Sequence, residues 1–394
     1  MRVRAFFALL LFCLLPAISA FSEDSVAPDI TNACVFRVSC HRDRVTRLTD
    51  DKYHTIWQGT RESWVEMTLP GDKPCYGLYI CLGGTLTDWE IQAQNAQGKW
   101  ETIYTPGDAF YHQYVALSGL THLRIYSNTK KPKQPLAISE IRLLGKGRLP
   151  GWVQVWHRME GKADLMIVVA HPDDEYLFIG GTIPYYAGEK QKKVIVVYLV
   201  NTHSVRKSEL LNGLWQCGVR DYPEMGTAKD YYQLSLRKIY DLWHEEQIRK
   251  RITRFIRQYR PDVLVTHDVK GEYGHGAHMA AADVCKSSLT LSQDSAYDAQ
   301  SAQLYGTWQI PKMYLHLFTE KQLHMDWQKP LSAFLGHTAI QVAKDAFKMH
   351  VSQQKGEHNM ENVSQYDSSL FGLYHSTVGP DVIKNDFFEN LPPH

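Results

Sequence analysis

Two rhythms of apolar and polar residues divide the chain. From Ala33 to Gly145 apolar residues recur at alternate positions in short runs broken by turn residues, as where Val65, Met67 and Leu69 face one way and Trp64, Glu66 and Thr68 the other. A period of two puts successive side chains on opposite faces of an extended chain, so each run predicts a half-buried strand. Gly77 to Cys81, Trp89 to Gln94, His122 to Tyr126 and Leu136 to Leu143 read the same way, and together they predict an all-β, jelly-roll-like sandwich. Past Gly145 and Pro150 continuous apolar strands (Leu165 to Ala170, Val194 to Val200, Val263 to Thr266) alternate with helical patterns. Strands apolar on both faces and joined by helices predict a mostly parallel, Rossmann-like α/β sheet. One helix over Gln247 to Arg260 gathers Ile248, Ile252, Phe255, Ile256 and Tyr259 on one face, leaves the basic residues from Arg249 to Arg260 for a solvated face, and is stopped by Pro261. Ser287 to Gln303, rich in Ser, Ala and Gln, reads as a loop or an insertion.

Composition narrows the classes. With 394 residues, 44% apolar and 22% charged, the chain can bury at least two cores. Lys and Arg (43) nearly cancel Asp and Glu (42) and no basic block interrupts the balance, which argues against nucleic acid or an anionic membrane as partner and suits an uncharged substrate. At the start, Arg2 and Arg4 precede an apolar run from Ala5 to Leu15, then Pro16 and the small-residue stretch Ala17-Ile18-Ser19-Ala20. The run falls short of the roughly 20 residues a spanning helix needs. Residues 1–20 therefore read as a cleaved signal, which places the protein outside the cytoplasm (secreted, periplasmic or at the cell surface) with no transmembrane segment after cleavage. The remaining domains are expected over 21–147 (sandwich) and 148–394 (α/β). In an exported chain Cys34, Cys40, Cys75 and Cys81 are expected to form disulfides, in a pairing the sequence leaves open, and Cys217 and Cys285 to be buried thiols or a further pair. Asn362-Val363-Ser364 is a glycosylation sequon whose use depends on the host.

The chemistry gathers at two strand ends. Leu165 to Ala170 runs into His171-Pro172-Asp173-Asp174-Glu175, and Val263 to Thr266 runs into His267-Asp268 and then Gly271-Glu272-Tyr273-Gly274-His275-Gly276-Ala277-His278. In a parallel α/β sheet ligands bind at the carboxyl ends of strands, so both segments face one crevice. A catalytic zinc requires three imidazole or carboxylate ligands, an open position for water, and a free carboxylate to take that water's proton. His171, Asp174 and His278 can supply the ligands, one ion per chain, and Asp173 the base. Glu175 is expected to serve the following helix N-terminus rather than the metal. Asp268 remains open between loop hydrogen bonding and support of the site.

Ala170-His171-Pro172-Asp173-Asp174-Glu175, followed by Gly274-His275-x-x-His278, resembles the PIG-L/LmbE-type family of zinc-dependent N-acetylglucosaminyl deacetylases. Arg206-x-x-Glu209, Cys217-Gly218-Val219, Lys312-Met313-Tyr314 and Ala346-x-x-x-His350-x-Ser352-Gln353 are further similar stretches. The resemblance implies zinc on His171, Asp174 and His278 and Asp173 as general base. It further implies that His275 stabilises the charged intermediate or protonates the departing amine, and that Tyr273 polarises the amide carbonyl, with Arg206 and Gln353 on the substrate side. Relatives often carry an acidic residue directly before the second-motif ligand, where this chain has Ala277, which removes a partner for His275.

The β-rich part resembles the discoidin or coagulation-factor C-type sandwich, also used as a carbohydrate-binding module, at Leu48-Thr49-Asp50-Asp51 to Trp57, Trp64 to Met67, Trp89 to Gln92, Gly98-Lys99-Trp100 and Ile138 to Ile141. Trp57, Tyr111 and Tyr126 are its candidate sugar-stacking rings. The implied activity is removal of the N-acetyl group from an N-acetylglucosamine-containing glycan or glycoconjugate. A catalytically silent glycan-binding protein and an amide hydrolase acting on an acylated glycopeptide are the competing readings.

Overall fold

A computed structural model describes residues 25–129, 134–354, 360 and 363–392, so the expected signal segment and Asn362 lie outside the described residues. The N-terminal part holds β1 (Val35–Val38), β2 (Trp57–Gln58), β3 (Glu62–Thr68), β4 (Cys75–Leu82), β5 (Glu90–Gln94), β6 (Trp100–Tyr104), β7 (His112–Leu120), β8 (His122–Asn128) and β9 (Ala137–Leu144). They form two antiparallel sheets, β1-β3-β8-β5-β6 and β2-β9-β4-β7. Alternation turns Val65, Met67, Leu123 and Ile125 into the space between the sheets, where they are fully buried. No alternation marks β6, because none of the residues of this edge strand is buried.

Two of the three candidate sugar-stacking rings are inside. Trp57 is fully buried and its indole Nε1–H donates to the Cys40 carbonyl at 3.0 Å, so neither ring face is open to a sugar. Trp57→Ala should cost about 3–5 kcal/mol of stability by urea unfolding, and an unchanged midpoint would contradict this burial. Tyr111 is also buried, with its hydroxyl donating to the Gly84 carbonyl at 3.0 Å. Tyr126 lies half-exposed on the outer face of the five-stranded sheet, with the Arg124 guanidinium 4.9 Å over its ring and its hydroxyl 3.1 Å from Glu62.

The expected disulfides are absent among the described residues, where all six cysteines are free. A bulge between Cys75 and Gly77 turns Cys75 into the core beside Leu78 and Ile80, where its thiol meets the Gly77 carbonyl at 3.2 Å. Cys81 instead shares the other face of β4 with Tyr79. Alternation alone would put residues six apart on one face, so it is the bulge that sends these two thiols into different layers.

The C-terminal part holds β10 (Leu165–Val169), β11 (Val194–Tyr198), β12 (Val200–Asn201), β13 (Ala228–Lys229), β14 (Val263–Thr266), β15 (Lys312–His316), β16 (Gln322–His324) and β17 (Leu370–Ser376). The main sheet runs β11-β10-β14-β15-β17-β16; its first four strands are parallel, and β17 is antiparallel to both its neighbours. Its helices are α1 (Asp174–Leu177), α2 (Ser204–Gln216), α3 (Leu236–Trp243), α4 (Glu245–Tyr259), α5 (Gly276–Leu291), α6 (Ala299–Tyr305) and α7 (Ala339–Phe347). Two expectations change here. Ser287 to Gln303 contains the end of α5 and the start of α6 rather than a loop alone. Arg257, on the face of α4 expected to be solvated, is fully buried, and its guanidinium donates to the carbonyls of Leu291, Ser292, Asp294, Tyr297 and Asp298 and to the Ser301 hydroxyl. A helical period marks a polar face but not what docks on it.

The two parts share one continuous apolar cluster that includes Trp57 and Phe110 on one side and Trp156, Leu214 and Tyr222 on the other. Phe110 stacks on Tyr222 with centroids 4.2 Å apart, the Tyr111 backbone N–H donates to the Tyr222 hydroxyl at 3.1 Å, and Asn212 on α2 donates to the Tyr53 hydroxyl at 3.1 Å. Among the described residues no helix is long and apolar enough to cross a membrane.

Candidate metal centre

In the sheet β10 and β14 are neighbours, and the chain leaves β10 toward β11 and β14 toward β15, in opposite directions, so a crevice opens at the carboxyl ends of β10 and β14. Into it β10 delivers His171 to Glu175. The chain turns at Asp173 with φ of 114°, a region costly for a residue with a Cβ, so neighbours must hold the turn in place. Arg206 on α2 does so by donating from Nη2 to the Pro172 carbonyl at 2.5 Å and to Asp173 Oδ2 at 3.0 Å. Glu175, fully buried, accepts the Asp173 backbone N–H at 2.8 Å and the Tyr198 hydroxyl at 2.7 Å. Burial pushes its carboxyl up to about 8. Both contacts turn it away from the histidines, while the buried His350 lies 3.7 Å from its Oε1. Arg206, expected on the substrate side, is engaged with Asp173 itself.

Asp174 lies at the centre. Its Oδ2 accepts the His171 backbone N–H at 2.7 Å and is 3.1 Å from His171 Nδ1, and its Oδ1 is 3.4 Å from His278 Nε2. Burial alone would raise its pKa, but His278 and His171 outweigh this and hold it well below the carboxylate range. Burial also pulls His171 down, while Asp174 and then Asp230 outweigh it and raise it to about 9, so a metal entering here must displace a proton. Asp173 moves upward because it is buried, with Arg206 opposing.

From β14 the chain passes His267 and loops through Gly271, whose φ of 70° brings the backbone back so closely that a Cβ there would sit 2.4 Å from the His275 carbonyl. The loop tucks Glu272 beneath the histidines and opens α5, which carries His278 in its first turn. His171, His275 and His278 present ligand atoms within 4.8 Å of one another, as do Asp174, His267 and His278. His267 is withdrawn from this set because its Nε2 accepts the Ala170 backbone N–H at 3.2 Å. His278 is the opposite case. Its Nδ1 is 2.7 Å from Glu272, while its Nε2 is buried and has no hydrogen-bond partner, which is the condition of an imidazole ready to ligate.

His275 and Tyr273 stand beside the same residues. His275 is 4.9 Å from His171 and 4.7 Å from His278 between ring centroids, its Nδ1 is buried without a hydrogen-bond partner, and burial followed by His278 and His171 pushes it down to about 3. Ala277 is fully buried and offers it nothing polar. The Tyr273 ring stands edge-on to His278 at 5.3 Å. Gln353 donates to Ser352 Oγ at 2.9 Å, and Ser352 is tied to Glu209 on α2 by its backbone N–H and its hydroxyl. Among the described residues no hydrogen bond joins Gln353 to the histidine cluster.

The sequence reading gave no role to Glu272, His316, Asp230 or Tyr232. Asp230 Oδ1 lies 3.5 Å from His171 Nε2, and the largely exposed Tyr232 ring is 5.3 Å from His275. His316 closes the apolar strand β15 as His267 follows β14, so the same strand-end signal marks it. Asp230 follows the two-residue strand β13 and has no such mark. For Asp268, the backbone N–H donates to Glu272 Oε1 at 3.0 Å, which makes it a support of the loop.

Residues 166–288 match the PIG-L family, described as GlcNAc-PI de-N-acetylase. The matched stretch holds every histidine and carboxylate of the centre except His316. Among curated proteins, a 1D-myo-inositol 2-acetamido-2-deoxy-alpha-D-glucopyranoside deacetylase of Catenulispora acidiphila is 27% identical over 187 residues, which cover 40% of this chain and 57% of that protein. The chain thus spans less than two thirds of the length of the curated relatives it matches first. Among solved structures, N,N'-diacetylchitobiose deacetylase from Pyrococcus horikoshii aligns at 18% identity and TM-score 0.38, over 50% of this chain and 72% of that one. Chitosan-binding module 1 of a Paenibacillus sp. IK-5 chitosanase/glucanase aligns at 15% identity and TM-score 0.25, over 29% of this chain and 96% of that one.

Proposed function

We propose that the protein is an exported, zinc-dependent N-deacetylase that hydrolyses the acetamide of an N-acetylglucosamine-containing glycan or glycoconjugate. One observation carries the reading: the buried, unpartnered Nε2 of His278 faces the carboxylate of Asp174 and the ring of His171, beside a second carboxylate, Asp173, that is held apart by Arg206. His171, Asp174 and His278 would hold the ion. When bound, zinc would supply a Lewis acid that lets water give up a proton at neutral pH and so become a nucleophile. Asp173 Oδ2 is committed to Arg206, so Oδ1 is the atom that receives the proton of the attacking water. Tyr273 is placed to polarise the acetamide carbonyl, and His275 to steady the charge that develops or to return a proton to the departing amine. The class of substrate comes from the family match and from the names of the relatives. That the ligand set and Asp173 are complete weighs against a silent glycan-binding protein.

Acetate release from a panel of N-acetylglucosamine glycans and conjugates tests the proposal. Purified zinc-loaded protein should liberate acetate and leave free amine in equal amounts, and activity should vanish with chelation and return with zinc. No release from any member of the panel by fully metal-loaded protein would overturn it.

A further inference from the structure

Beneath the ligands sits a carboxylate that the proposed reaction does not use. Glu272 is fully buried at its side chain, yet ring nitrogens from three histidines converge on it: His278 Nδ1 at 2.7 Å from Oε2, His316 Nδ1 at 2.9 Å from Oε1, and His267 Nδ1 at 3.1 Å from each oxygen. The Asp268 backbone N–H adds a further donor to Oε1. These donors come from the end of β14, from β15 and from α5.

We infer that Glu272 is a positioning residue of the metal centre, whose carboxylate holds His278 in the tautomer that leaves Nε2 free to ligate. The inference rests on the reading of His278 as a ligand. An ionised carboxylate only accepts, so a ring nitrogen bonded to it must carry the proton. In the neutral ring, which has one proton to place, this puts the proton of His278 on Nδ1 and the lone pair on Nε2, the atom 3.4 Å from Asp174 Oδ1. His267 stacks on His278 at 4.1 Å and takes the same tautomer, but its Nε2 is spent on the Ala170 N–H. Glu272 therefore sets two adjacent rings alike, and the backbone of β10 decides which of them keeps a nitrogen for the ion. His316, anchored at Nε2 by the Asp367 carbonyl at 3.1 Å, fixes the carboxylate from the neighbouring strand. A histidine that donates its second nitrogen to a carboxylate is both oriented and made more basic, and loss of such a partner lowers metal affinity by about 10–100-fold.

The test uses full-length protein stripped of metal by chelation. Zinc affinity is measured by competition with a chromophoric chelator, and cobalt(II) is loaded separately for its visible absorption. Glu272→Gln should bind zinc about 10–100-fold more weakly and give an altered cobalt spectrum. His316→Gln, which removes one donor from the carboxylate and leaves its His278 contact, should weaken zinc binding less than Glu272→Gln does. Because a neutral side chain at this buried hub endangers folding, nitrogen-15 spectra of histidine-labelled wild-type protein give an independent reading, with His278 assigned by its loss in His278→Gln. They should show the His278 proton on Nδ1 before and after zinc, with the metal shift on Nε2. A proton on Nε2, or a folded Glu272→Gln protein with wild-type affinity and cobalt spectrum, would overturn the inference. A protein that holds zinc in this way but releases no acetate would leave it standing and overturn the proposed function instead.

Discussion

Asp173→Asn is expected to slow acetate release by about 100-fold or more, the scale on which a lost general base is felt. The amide keeps an oxygen for the Arg206 Nη2 contact, now 3.0 Å from Asp173 Oδ2, and loses only the ability to accept a proton. The backbone supports the choice of replacement, since φ of 114° at this position is strained and Asn tolerates positive φ about as well as Asp. Because the Asp173 side chain is hydrogen-bonded to Arg206 and not to His171, Asp174 or His278, the zinc content of the variant should match wild type by elemental analysis. Steady-state kinetics of the two proteins at equal metal loading measures the effect. A variant with wild-type turnover would mean that another group accepts the proton from the attacking water.

Removing residues 21–147 should cost activity on a small N-acetylglucosaminide as well as on a polymer. A tethered binding module raises only the local concentration of a polymeric substrate, so its loss would spare the small one. The contacts argue otherwise. Tyr222 and Trp156 are buried in the apolar cluster shared by the two parts, and exposing rings of this size costs about 1.5–3 kcal/mol each, a large share of the roughly 5–15 kcal/mol that holds a domain folded. The same deletion reaches the centre through α2. Lys207 donates to the Tyr111 hydroxyl at 3.3 Å and Asn212 to that of Tyr53, while Arg206 on this helix holds Asp173. Thermal melting and the two rates, measured on the truncated protein, check the prediction. A cooperatively melting fragment with full activity on the small substrate would show that the sandwich is a separable recruitment module.

Local pattern alone was enough to read β3, β4, β5, β8 and β9 before Gly145 and β10, β11 and β14 after it, the amphipathic α4, and the two segments that bring His171 to Glu175 and His275 to His278 to strand ends. These features are encoded by period and by neighbours within a few positions: a buried parallel strand must be continuously apolar, and its carboxyl end is where polar groups can first emerge. Only the tertiary structure decided the rest. Arg257 and Trp57 look in sequence like any exposed arginine or strand aromatic, and which of their faces is covered depends on the α5–α6 turn and on the second sheet of the sandwich. Cys34, Cys40, Cys75 and Cys81 were expected to form disulfides in an open pairing and are free, and a bulge in β4 that no alternation marks turns Cys75 and Cys81 to opposite faces. Glu272, His316, Asp230 and Arg206 are drawn from four separate stretches and meet the ligands only after the parallel sheet is assembled. The sequence therefore specified which donors this centre has, because ligand chemistry belongs to residue types. The fold decided which nitrogen of each histidine is free and which carboxylate stands apart as a base, because those depend on hydrogen bonds across elements that no spacing along the chain records.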